Sequence, residues 1–454
     1  MPERVAVVGG GITGLATAYY LGKAGVAVTV VEAGELGGKI QTRAFAGVPV
    51  EAGPDTFLAR VPWAVELCKE LGLGDDLVEP ATGKAFLWTG DCLRPLPERH
   101  VLGVPVALRP LLDSGVLSKA GVARAALDLV LPRSRHGADP SVAAVVGRRM
   151  GRQVVERLVD PLVGGINAGR ADALSLAATA PAIAAGAARH RSLVLGLRQA
   201  KSGPAGPVFL GLKGGLHRLV ERLAEEVDDV RTGAAVTGVE AGGAGGYTLR
   251  CDPGPDITAG AVVVTVPSYA AAGLLRSLAP AAAGHLAAIR HASVVTATLA
   301  YQPAALPRAL EGSGMLVPRV EGRLLTACTW STTKWPVLAA SGMVLLRASS
   351  GRDGDDRAME LPDAEIVRRL HDELAKVIDL RERPEASLVS RWPRGFPQYE
   401  VGHRARVDAI EAALAVDAPG VFVAGAAYRG LGIAACIEQA RRAAGLVTAG
   451  ELVP

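Results

Sequence analysis

Three glycines near the beginning of the chain form a G-x-G-x-x-G loop. Gly9, Gly11 and Gly14 follow the apolar run VAVV, and they lead into LATAYYLGKAG, which has the composition of a helix. A short β-branched run of this kind is typical of a strand buried on both faces of a parallel sheet. The loop therefore predicts a strand, a tight turn and a helix whose N-terminus faces a phosphate group.

An acidic residue at the end of the next strand completes this unit. The run VAVTVVEA places Glu32 eighteen residues after Gly14. Its carboxylate would accept a hydrogen bond from a ribose hydroxyl and would repel a 2′-phosphate, which argues against NADP. The sequence thus predicts a dinucleotide site, but the loop alone leaves open whether the ligand is a nicotinamide that dissociates or a flavin that stays bound.

Two further glycine segments favour the flavin. Gly37 and Gly38 follow the second strand closely, and such a pair is useful if the backbone passes near the cofactor a second time. The segment GVPVEAGPDTF then predicts a strand and a turn at Gly53, Pro54 and Asp55 that can reach toward a long ligand. A plain turn between strands is the alternative interpretation of this segment.

The other end of the chain contains a second glycine-rich unit. GVFVAGAAYRGLGIAACIEQ reads as a buried strand, a glycine-rich loop from Gly425 to Gly432, and a helix that begins near Ile433. The free N–H groups and positive dipole of that helix N-terminus would stabilise the negative charge of a reduced flavin. Both units can serve one ligand only if the chain leaves the first domain and returns to it, so the pattern predicts an interleaved flavoprotein that binds FAD.

A middle segment supports this return. DVRTGAAVTGVEAGGAGGYTLRCDPGPDITAGAVVVTVP predicts a strand that contains Val236, a hairpin, and a buried strand ending at Pro267. Val236 could then lie over the adenine, with an ordinary sheet strand as the alternative.

Composition excludes several classes of function. The net charge of +4 is scattered, without the basic runs of a nucleic-acid-binding face. The five cysteines never form a C-x-x-C pair, so we predict neither a disulfide framework nor a metal site. Apolar stretches are interrupted well before the roughly 18 residues that span a bilayer, and the N-terminus leads directly into a strand. We expect a cytoplasmic protein with at most peripheral membrane contact.

Several segments together resemble a known family. GGGITGLATAYYL, VVEAGELGGKIQT and EAGPDTFLAR resemble the flavoproteins of the amine-oxidase superfamily. DPLVGGINAGRADALSLAATAP, TACTWSTTKWP and RWPRGFPQYEVGHRAR are more particular, and are similar to the bacterial coproporphyrinogen III and protoporphyrinogen oxidases of the soluble Gram-positive and actinobacterial type. The resemblance extends over nearly the whole chain.

The resemblance implies an activity. Members of the family remove six electrons from a porphyrinogen in three two-electron steps, and O2 reoxidises the flavin and yields H2O2. In this branch the usual substrate is coproporphyrinogen III, so the resemblance implies haem biosynthesis, with the ferrochelatase that inserts iron as a candidate partner. Holding the macrocycle edge against the flavin needs little acid–base help from side chains. We therefore assign no catalytic residue.

The resemblance also implies site residues. The FAD contacts carry over to Gly9, Gly10, Gly11, Ile12, Thr13, Gly14, Glu32, Gly37, Gly38, Gly53, Pro54, Asp55, Val236, Trp392, Gly432 and Ile433. For the substrate, Arg60 is the first candidate to pair with a propionate, because Arg matches a carboxylate bidentately. Ile166 and Asn167 are the candidates for the pocket wall.

Some residues depart from the family pattern. Many relatives have an Arg shortly before the paired glycines, whereas EAGELGGK is one residue shorter and lacks it. Backbone dipoles or another cation must then meet the pyrophosphate charge. Asn167, Arg170 and Ser349 also differ from the residues found in relatives at the corresponding positions.

The predicted fold is α/β, an interleaved two-domain flavoprotein with a helical lobe. We assign residues 1–75, 200–270 and 385–454 to a Rossmann-like FAD-binding domain, residues 76–199 to a helical substrate- or membrane-facing lobe, and residues 271–384 to a mixed-sheet substrate domain. The rival functions are an amine oxidase or carotenoid desaturase of the same superfamily, and a flavin-containing porphyrin carrier without turnover.

Overall fold

Strands and helices alternate along most of the chain. The computed structural model describes residues 2–199 and 206–449. The strands are β1 (Arg4–Val8), β2 (Ala27–Glu32), β3 (Thr42–Phe45), β4 (Val48–Glu51), β5 (Phe57–Leu58), β6 (Leu77–Val78), β7 (Ala85–Thr89), β8 (Cys92–Pro95), β9 (His100–Val101), β10 (Val104–Pro105), β11 (Phe209–Leu212), β12 (Asp229–Thr232), β13 (Ala235–Ala241), β14 (Tyr247–Asp252), β15 (Ile257–Ala259), β16 (Ala261–Val264), β17 (His291–Tyr301), β18 (Gly314–Leu316), β19 (Leu325–Trp330), β20 (Val344–Ser350), β21 (Ala386–Pro397) and β22 (Val421–Val423).

Helices connect these strands and cover the sheets. They are α1 (Ile12–Lys23), α2 (Trp63–Glu70), α3 (Leu108–Asp113), α4 (Lys119–Ala126), α5 (Val142–Met150), α6 (Arg152–Val154), α7 (Asp160–Asn167), α8 (Leu176–Thr179), α9 (Pro181–Arg189), α10 (Leu193–Arg198), α11 (His217–Glu225), α12 (Ser268–Leu274), α13 (Pro280–Ala287), α14 (Ser331–Lys334), α15 (Arg357–Glu360), α16 (Asp363–Ile378), α17 (His403–Asp417) and α18 (Ile433–Ala449). The α/β class is confirmed.

A five-stranded parallel sheet gathers strands from distant parts of the chain. Its order is β12-β2-β1-β16-β22. Val5, Val7, Val262 and Val263 in the two central strands are fully buried, as expected for a sheet covered on both faces. Because all five strands are parallel, their carboxyl ends lie at one edge. The segments that follow β1, β2, β12, β16 and β22 therefore meet there.

The larger sheet is mainly antiparallel. Its order is β21-β17-β20-β19-β18-β7-β8, in which only the pair β18 and β7 is parallel among the described strands. Helix α16 covers one face, where Ile366, Leu370 and Leu374 pack with Val295 and Leu299. The opposite face carries polar side chains toward the loop after β4.

Two segments outside residues 271–384 also contribute strands to the seven-stranded sheet. Residues 85–95, placed in the helical lobe, form the β7–β8 hairpin at the edge of the seven-stranded sheet. Residues 386–397, placed in the FAD-binding domain, form β21 and pair with β17. These pairings join residues about a hundred or more positions apart, so local patterns carry no signal for them. The domain boundaries stay predictions, and residues 200–205 and 450–454 lie outside the described residues.

The helical segment is held by a buried ion pair. Nε of Arg149 lies 2.7 Å from Oδ1 of Asp128, and both side chains are almost fully buried. The Asp128 carboxylate also accepts hydrogen bonds from Ser192 Oγ and from the Leu193 and Val194 N–H groups at the start of α10. Every lone pair therefore has a donor, as a buried carboxylate requires. No helix within residues 2–199 or 206–449 has the length and apolar character needed to cross a bilayer.

Candidate functional site

The three glycines of the first loop have different structural roles. Gly9 has φ +109°, which only glycine adopts without strain. A Cβ on Gly14 would lie 1.8 Å from the Gly9 carbonyl oxygen, so Gly14 lets α1 pack on the loop. Gly11 has φ −77°, and a Cβ there would meet no atom of the described residues within 4 Å. Only Gly11 opens the loop toward a ligand.

The N-terminus of α1 lies directly beside that opening. Gly11 caps the helix without any side-chain hydrogen bond among the described residues. Ile12 and Thr13 are buried, so the first turn is fixed against the sheet. The N–H groups of a first helical turn have no partner within the helix and carry positive partial charge. This end of α1 can therefore bind a phosphate group.

Glu32 is tied to the same loop. Its Oε2 accepts a hydrogen bond from Gly10 N–H at 2.7 Å, and its Oε1 accepts one from Gly34 N–H at 2.9 Å. A Cβ on Gly10 would lie 2.9 Å from Cβ of Glu32, so Gly10 is required for this close approach. The predicted ribose contact would share the carboxylate with these two N–H groups.

The second glycine pair lies against the first loop. Gly37 N–H donates to the Gly10 carbonyl at 2.8 Å. Gly37 and Gly38 have φ +98° and +57°, and a Cβ on Gly38 would be 3.6 Å from Cα of Gly11. The structure therefore brings Gly37 and Gly38 to the opening at Gly11.

The residue that follows this pair was missed by the sequence analysis. Lys39 is partly buried, and this burial lowers the pKa of its ammonium group, whereas the Cys436 thiol in α18 acts in the opposite direction. Lys39 also helps to lower the pKa of His291, after burial, to about 4. Its position directly after Gly37 and Gly38 was the signal that could have identified it. A partly buried cation at this position suits an anionic cofactor.

The turn at residues 53–55 packs closely on the Lys39 backbone. A Cβ on Gly53 would lie 1.7 Å from the Lys39 carbonyl oxygen, so only glycine fits. After the partly buried Pro54, the Asp55 carboxylate contacts Lys334 Nζ at 2.6 Å and Trp335 Nε1 at 3.4 Å. Burial acts to raise the pKa of Asp55, but the charges of Lys334 and Arg347 outweigh it and hold the pKa below its usual value. Asp55 thus faces α14.

Side chains from the seven-stranded sheet converge on the residue before this turn. The Ala52 carbonyl oxygen accepts hydrogen bonds from Thr296 Oγ1 at 3.2 Å, Trp392 Nε1 at 3.2 Å and Arg347 Nη2 at 3.3 Å. Arg347 Nε is buried and has no hydrogen-bond partner in the described part of the chain. The predicted residue Trp392 is thereby fixed at the junction, whereas Thr296 and Arg347 gave no recognisable signal in the sequence.

The glycine-rich loop near the C-terminus reaches the first loop. A Cβ on Gly425 would lie 3.6 Å from Thr13 Oγ1. Helix α18 begins at Ile433, as predicted, and its first hydrogen bond runs from Cys436 N–H to the Gly432 carbonyl at 2.9 Å. A Cβ on Gly432 would contact no described atom within 4 Å. The two ends of the chain meet at one place.

Two side chains fix the shape of that C-terminal loop. Tyr399 Oη donates to the Ala426 carbonyl at 2.7 Å and accepts from Gly430 N–H at 2.9 Å. The Gln439 side chain, in the second turn of α18, accepts from Arg429 N–H at 3.2 Å and donates to the Gly430 carbonyl at 3.2 Å. Neither Tyr399 nor Gln439 was predicted, because each contacts the backbone of a loop whose shape only the folded chain shows.

Val236 lies on the strand beside Glu32. The Ala234 N–H donates to the Glu32 carbonyl at 3.2 Å, and Val236 follows two residues later in β13, partly buried and paired with Cys251. A bulge follows Val236. This placement is compatible with the predicted adenine contact, which stays a prediction.

The predicted substrate residues differ in their surroundings. Arg60 is exposed, and Ile166 is 51% exposed. Asn167 is buried, and its Nδ2 donates to the Val163 carbonyl at 2.9 Å within α7, so its amide is turned toward its own helix. Arg170 and Ser349 are two of the residues that differ from the family pattern. Arg170 forms an ion pair with Asp172, and Ser349 lies in β20 opposite Thr296. The roles proposed for Arg60, Ile166 and Asn167 stay predictions.

These features together fit FAD. The opening at Gly11, the first turn of α1 without a side-chain cap, and the partly buried Lys39 ammonium suit a pyrophosphate. The second helix N-terminus at Gly432 suits the anionic edge of a reduced flavin. The residues come from both ends of the chain, as the size of a dinucleotide requires.

Comparisons with known proteins agree with this geometry. The family model for flavin containing amine oxidoreductases matches residues 12–448. The coproporphyrinogen III oxidase of Bacillus subtilis is 38% identical over 97% of each chain, and that of Mycobacterium leprae is 35% identical over 96% of each chain. A crystal structure from Exiguobacterium, assigned as a protoporphyrinogen oxidase, superposes with a TM-score of 0.89 at 32% identity and covers 99% of both chains. The resemblance deduced from the sequence motifs is confirmed, and the chain belongs to the family of flavin-containing amine oxidoreductases.

Proposed function

We propose that this protein oxidises coproporphyrinogen III to coproporphyrin III, with FAD as cofactor and O2 as electron acceptor. The observation that carries the proposal is the full-length similarity, at 38% identity, to a coproporphyrinogen III oxidase. The complete oxidation of one porphyrinogen to one porphyrin removes six electrons and six protons, and it reduces three O2 to three H2O2.

The residues proposed to hold FAD lie at the shared edge of the parallel sheet. The first turn of α1 and Lys39 would neutralise the pyrophosphate, Glu32 would accept from the adenosine ribose, and Gly432 would present the α18 N-terminus to the isoalloxazine. FAD held by these residues would supply the electron acceptor for hydride loss from the methylene bridge between two pyrroles.

The protein itself contributes by positioning the substrate against the cofactor site. Electron-rich pyrroles stabilise the cation that develops on hydride loss and release their own N–H protons, so no general acid or base is required. Arg347 and Trp392 fix the sheet against the loop at Ala52, which sets the distance between the sheet face and the cofactor site. Arg60 remains our candidate for a propionate, and Ile166 for an apolar wall.

Aerobic turnover tests the proposal. Coproporphyrinogen III is added to the FAD-loaded protein, and porphyrin fluorescence and H2O2 are measured against an enzyme-free autoxidation control. We expect fluorescence to grow far beyond one equivalent per flavin, with three H2O2 per porphyrin. The rate with protoporphyrinogen IX, measured in parallel, shows whether the protein prefers a substrate with four propionates or one with two.

The rivals give other results. Porphyrin that stops at one equivalent per flavin would indicate a carrier, and no porphyrin would indicate an amine or carotenoid substrate. Covalent-flavin amine oxidases need a cysteine against the flavin; Cys436 instead lies within α18 and is 5% exposed. We further propose a cytoplasmic location and transfer of the product to ferrochelatase, which co-purification from cell extract would test.

A further inference from the structure

A pocket on the surface of the seven-stranded sheet is lined by three arginines. Arg319, Arg352 and Arg357 surround a space of about 440 Å³, together with the acidic residues Asp355 and Glu360. The pocket follows the end of β20 and lies beside the turn that joins Gly351 to Asp355. Neither the FAD site nor the predicted substrate residues contribute side chains to it.

Arg352 is the unusual member of this group. The residue is 8% exposed, and its Nε has no hydrogen-bond partner in the described part of the chain. Its backbone is fixed by two hydrogen bonds with Asp355, at 3.3 Å and 2.8 Å. Leaving a buried guanidinium N–H without an acceptor is costly. The position therefore favours an acceptor supplied from outside the chain.

The neighbouring charges are already paired. Arg357 donates through Nε and Nη2 to the Asp355 carboxylate at 2.8 Å each. Arg319 donates through Nη1 to the Asp353 carbonyl at 3.1 Å and through Nη2 to the Gly169 carbonyl at 3.4 Å.

The Arg319 Nε, also buried without a hydrogen-bond partner among the described residues, lies 3.8 Å from Asp160 Oδ2. Burial, followed by the charge of Arg319, lowers the pKa of Arg352, whereas the charges of Asp355 and Asp160 act in the opposite direction. The Arg352 Nε nevertheless has no hydrogen-bond acceptor among the described residues. The exposed carboxylates of Asp356 and Glu360 remain at the rim.

We propose that this pocket binds an oxyanion, a phosphate or carboxylate group, through the Arg352 guanidinium with Arg319 beside it. The planar guanidinium matches two oxygens of such a group, and the partial burial strengthens the charge-assisted hydrogen bonds. The inference does not depend on the proposed enzymatic function, because the pocket is argued from its own side chains.

Calorimetric titration of the FAD-loaded full-length protein with inorganic phosphate tests the site. We expect saturable phosphate binding by the wild type, and a dissociation constant at least tenfold higher for Arg352→Gln. Arg352→Lys keeps the charge but loses the planar fork, so it should bind with intermediate strength. Arg308→Gln is the matched control, because Arg308 is exposed beyond the opposite end of β17 and its loss changes the net charge equally.

Equal phosphate binding by the wild type and Arg352→Gln would overturn the proposal, as would the absence of binding to the wild type. Thermal unfolding of each variant verifies that it is folded. Repeating the titration with coproporphyrin III present identifies the source of the anion: competition with phosphate indicates a porphyrin carboxylate, and independent binding indicates a free anion.

Discussion

The ammonium nitrogen of Lys334 lies 2.6 Å from Oδ2 of Asp55, with both side chains largely buried. This ion pair joins α14, at the end of β19, to the turn after β4. It lies three residues from Ala52, whose carbonyl accepts the hydrogen bonds from the seven-stranded sheet. The seven-stranded sheet is therefore joined to the turn that follows the β3–β4 hairpin by a charged contact at the predicted cofactor site.

Replacing Asp55 by Asn should destabilise the protein, because it leaves the Lys334 ammonium buried without a counter-charge. We expect a loss of about 3 kcal/mol at pH 7. Since the folded-state pKa of Asp55 lies below its usual value, its contribution is present above about pH 4 and is lost as pH falls through the folded pKa. Thermal unfolding at pH 7 and at pH 3.5 checks both statements.

Asp172→Asn is the control for that variant. Asp172 pairs with Arg170 at the surface, where both side chains are about half exposed. An exposed pair of this kind contributes less than about 1 kcal/mol. Equal destabilisation by the two substitutions would contradict the role assigned to the Asp55–Lys334 contact.

Gly11→Ala should separate folding from cofactor binding. Gly11 has φ −77°, and its added methyl would meet no described atom, so the variant should unfold at the wild-type temperature without FAD. If the pyrophosphate passes over Gly11, the methyl displaces it, and we expect FAD affinity to fall at least tenfold. Fluorescence titration of the apoprotein with FAD measures this.

Two other glycines serve as references for this experiment. A methyl on Gly22, in the last turn of α1, also meets no described atom within 4 Å, so Gly22→Ala should retain FAD and gain less than about 1 kcal/mol of helix stability. Gly14→Ala should fail to fold, because its Cβ would collide with the Gly9 carbonyl. Normal FAD binding by Gly11→Ala would remove that residue from the site.

Tyr399→Phe should weaken FAD binding through the loop at residues 425–432. It removes the hydroxyl that bridges Ala426 and Gly430. We expect a loss of about 1 to 3 kcal/mol, since two buried backbone groups lose their partner. Tyr428→Phe is the matched control, because the buried Tyr428 hydroxyl has no partner among the described residues and its removal should be neutral or stabilising. Visible flavin spectra and thermal unfolding measure both variants, and equal effects would refute the bridging role.

Glu51 should make stability depend on pH near neutrality. Burial raises its pKa to about 7, although Leu216 N–H and Thr42 Oγ1 donate to the carboxylate. Because the folded state holds this proton more tightly than the unfolded state, stability falls as pH rises from about 4.5 to 7. Relative to Glu51→Gln, the wild type should lose about 1 to 3 kcal/mol between pH 5 and pH 8. Parallel unfolding curves across that range would contradict the assignment.

Local patterns were sufficient for the elements at both ends of the chain. The strand before Gly9, the strand that ends at Glu32 and the helix that begins at Ile433 lie where the residues predicted them. The sheet expected within residues 271–384 is found there as strands β17 to β20, because the alternation of apolar and polar residues that marks a strand extends over a few consecutive residues. The strands β7 and β21 were recognised less well, since their position depends on partners far along the chain.

The sequence by itself determined a parallel-sheet nucleotide unit and its family, because glycine spacing and β-branched runs act over short distances. Only the tertiary structure decided that Thr296, Arg347 and Trp392 meet at the Ala52 carbonyl, across separations of 244, 295 and 340 residues. It also decided that Asp55 faces Lys334, that Lys39 is partly buried, and that the buried Arg352 Nε has no hydrogen-bond partner among the described residues. Charge balance depends on which side chains the fold brings within a few ångströms, and that information is distributed over the whole chain.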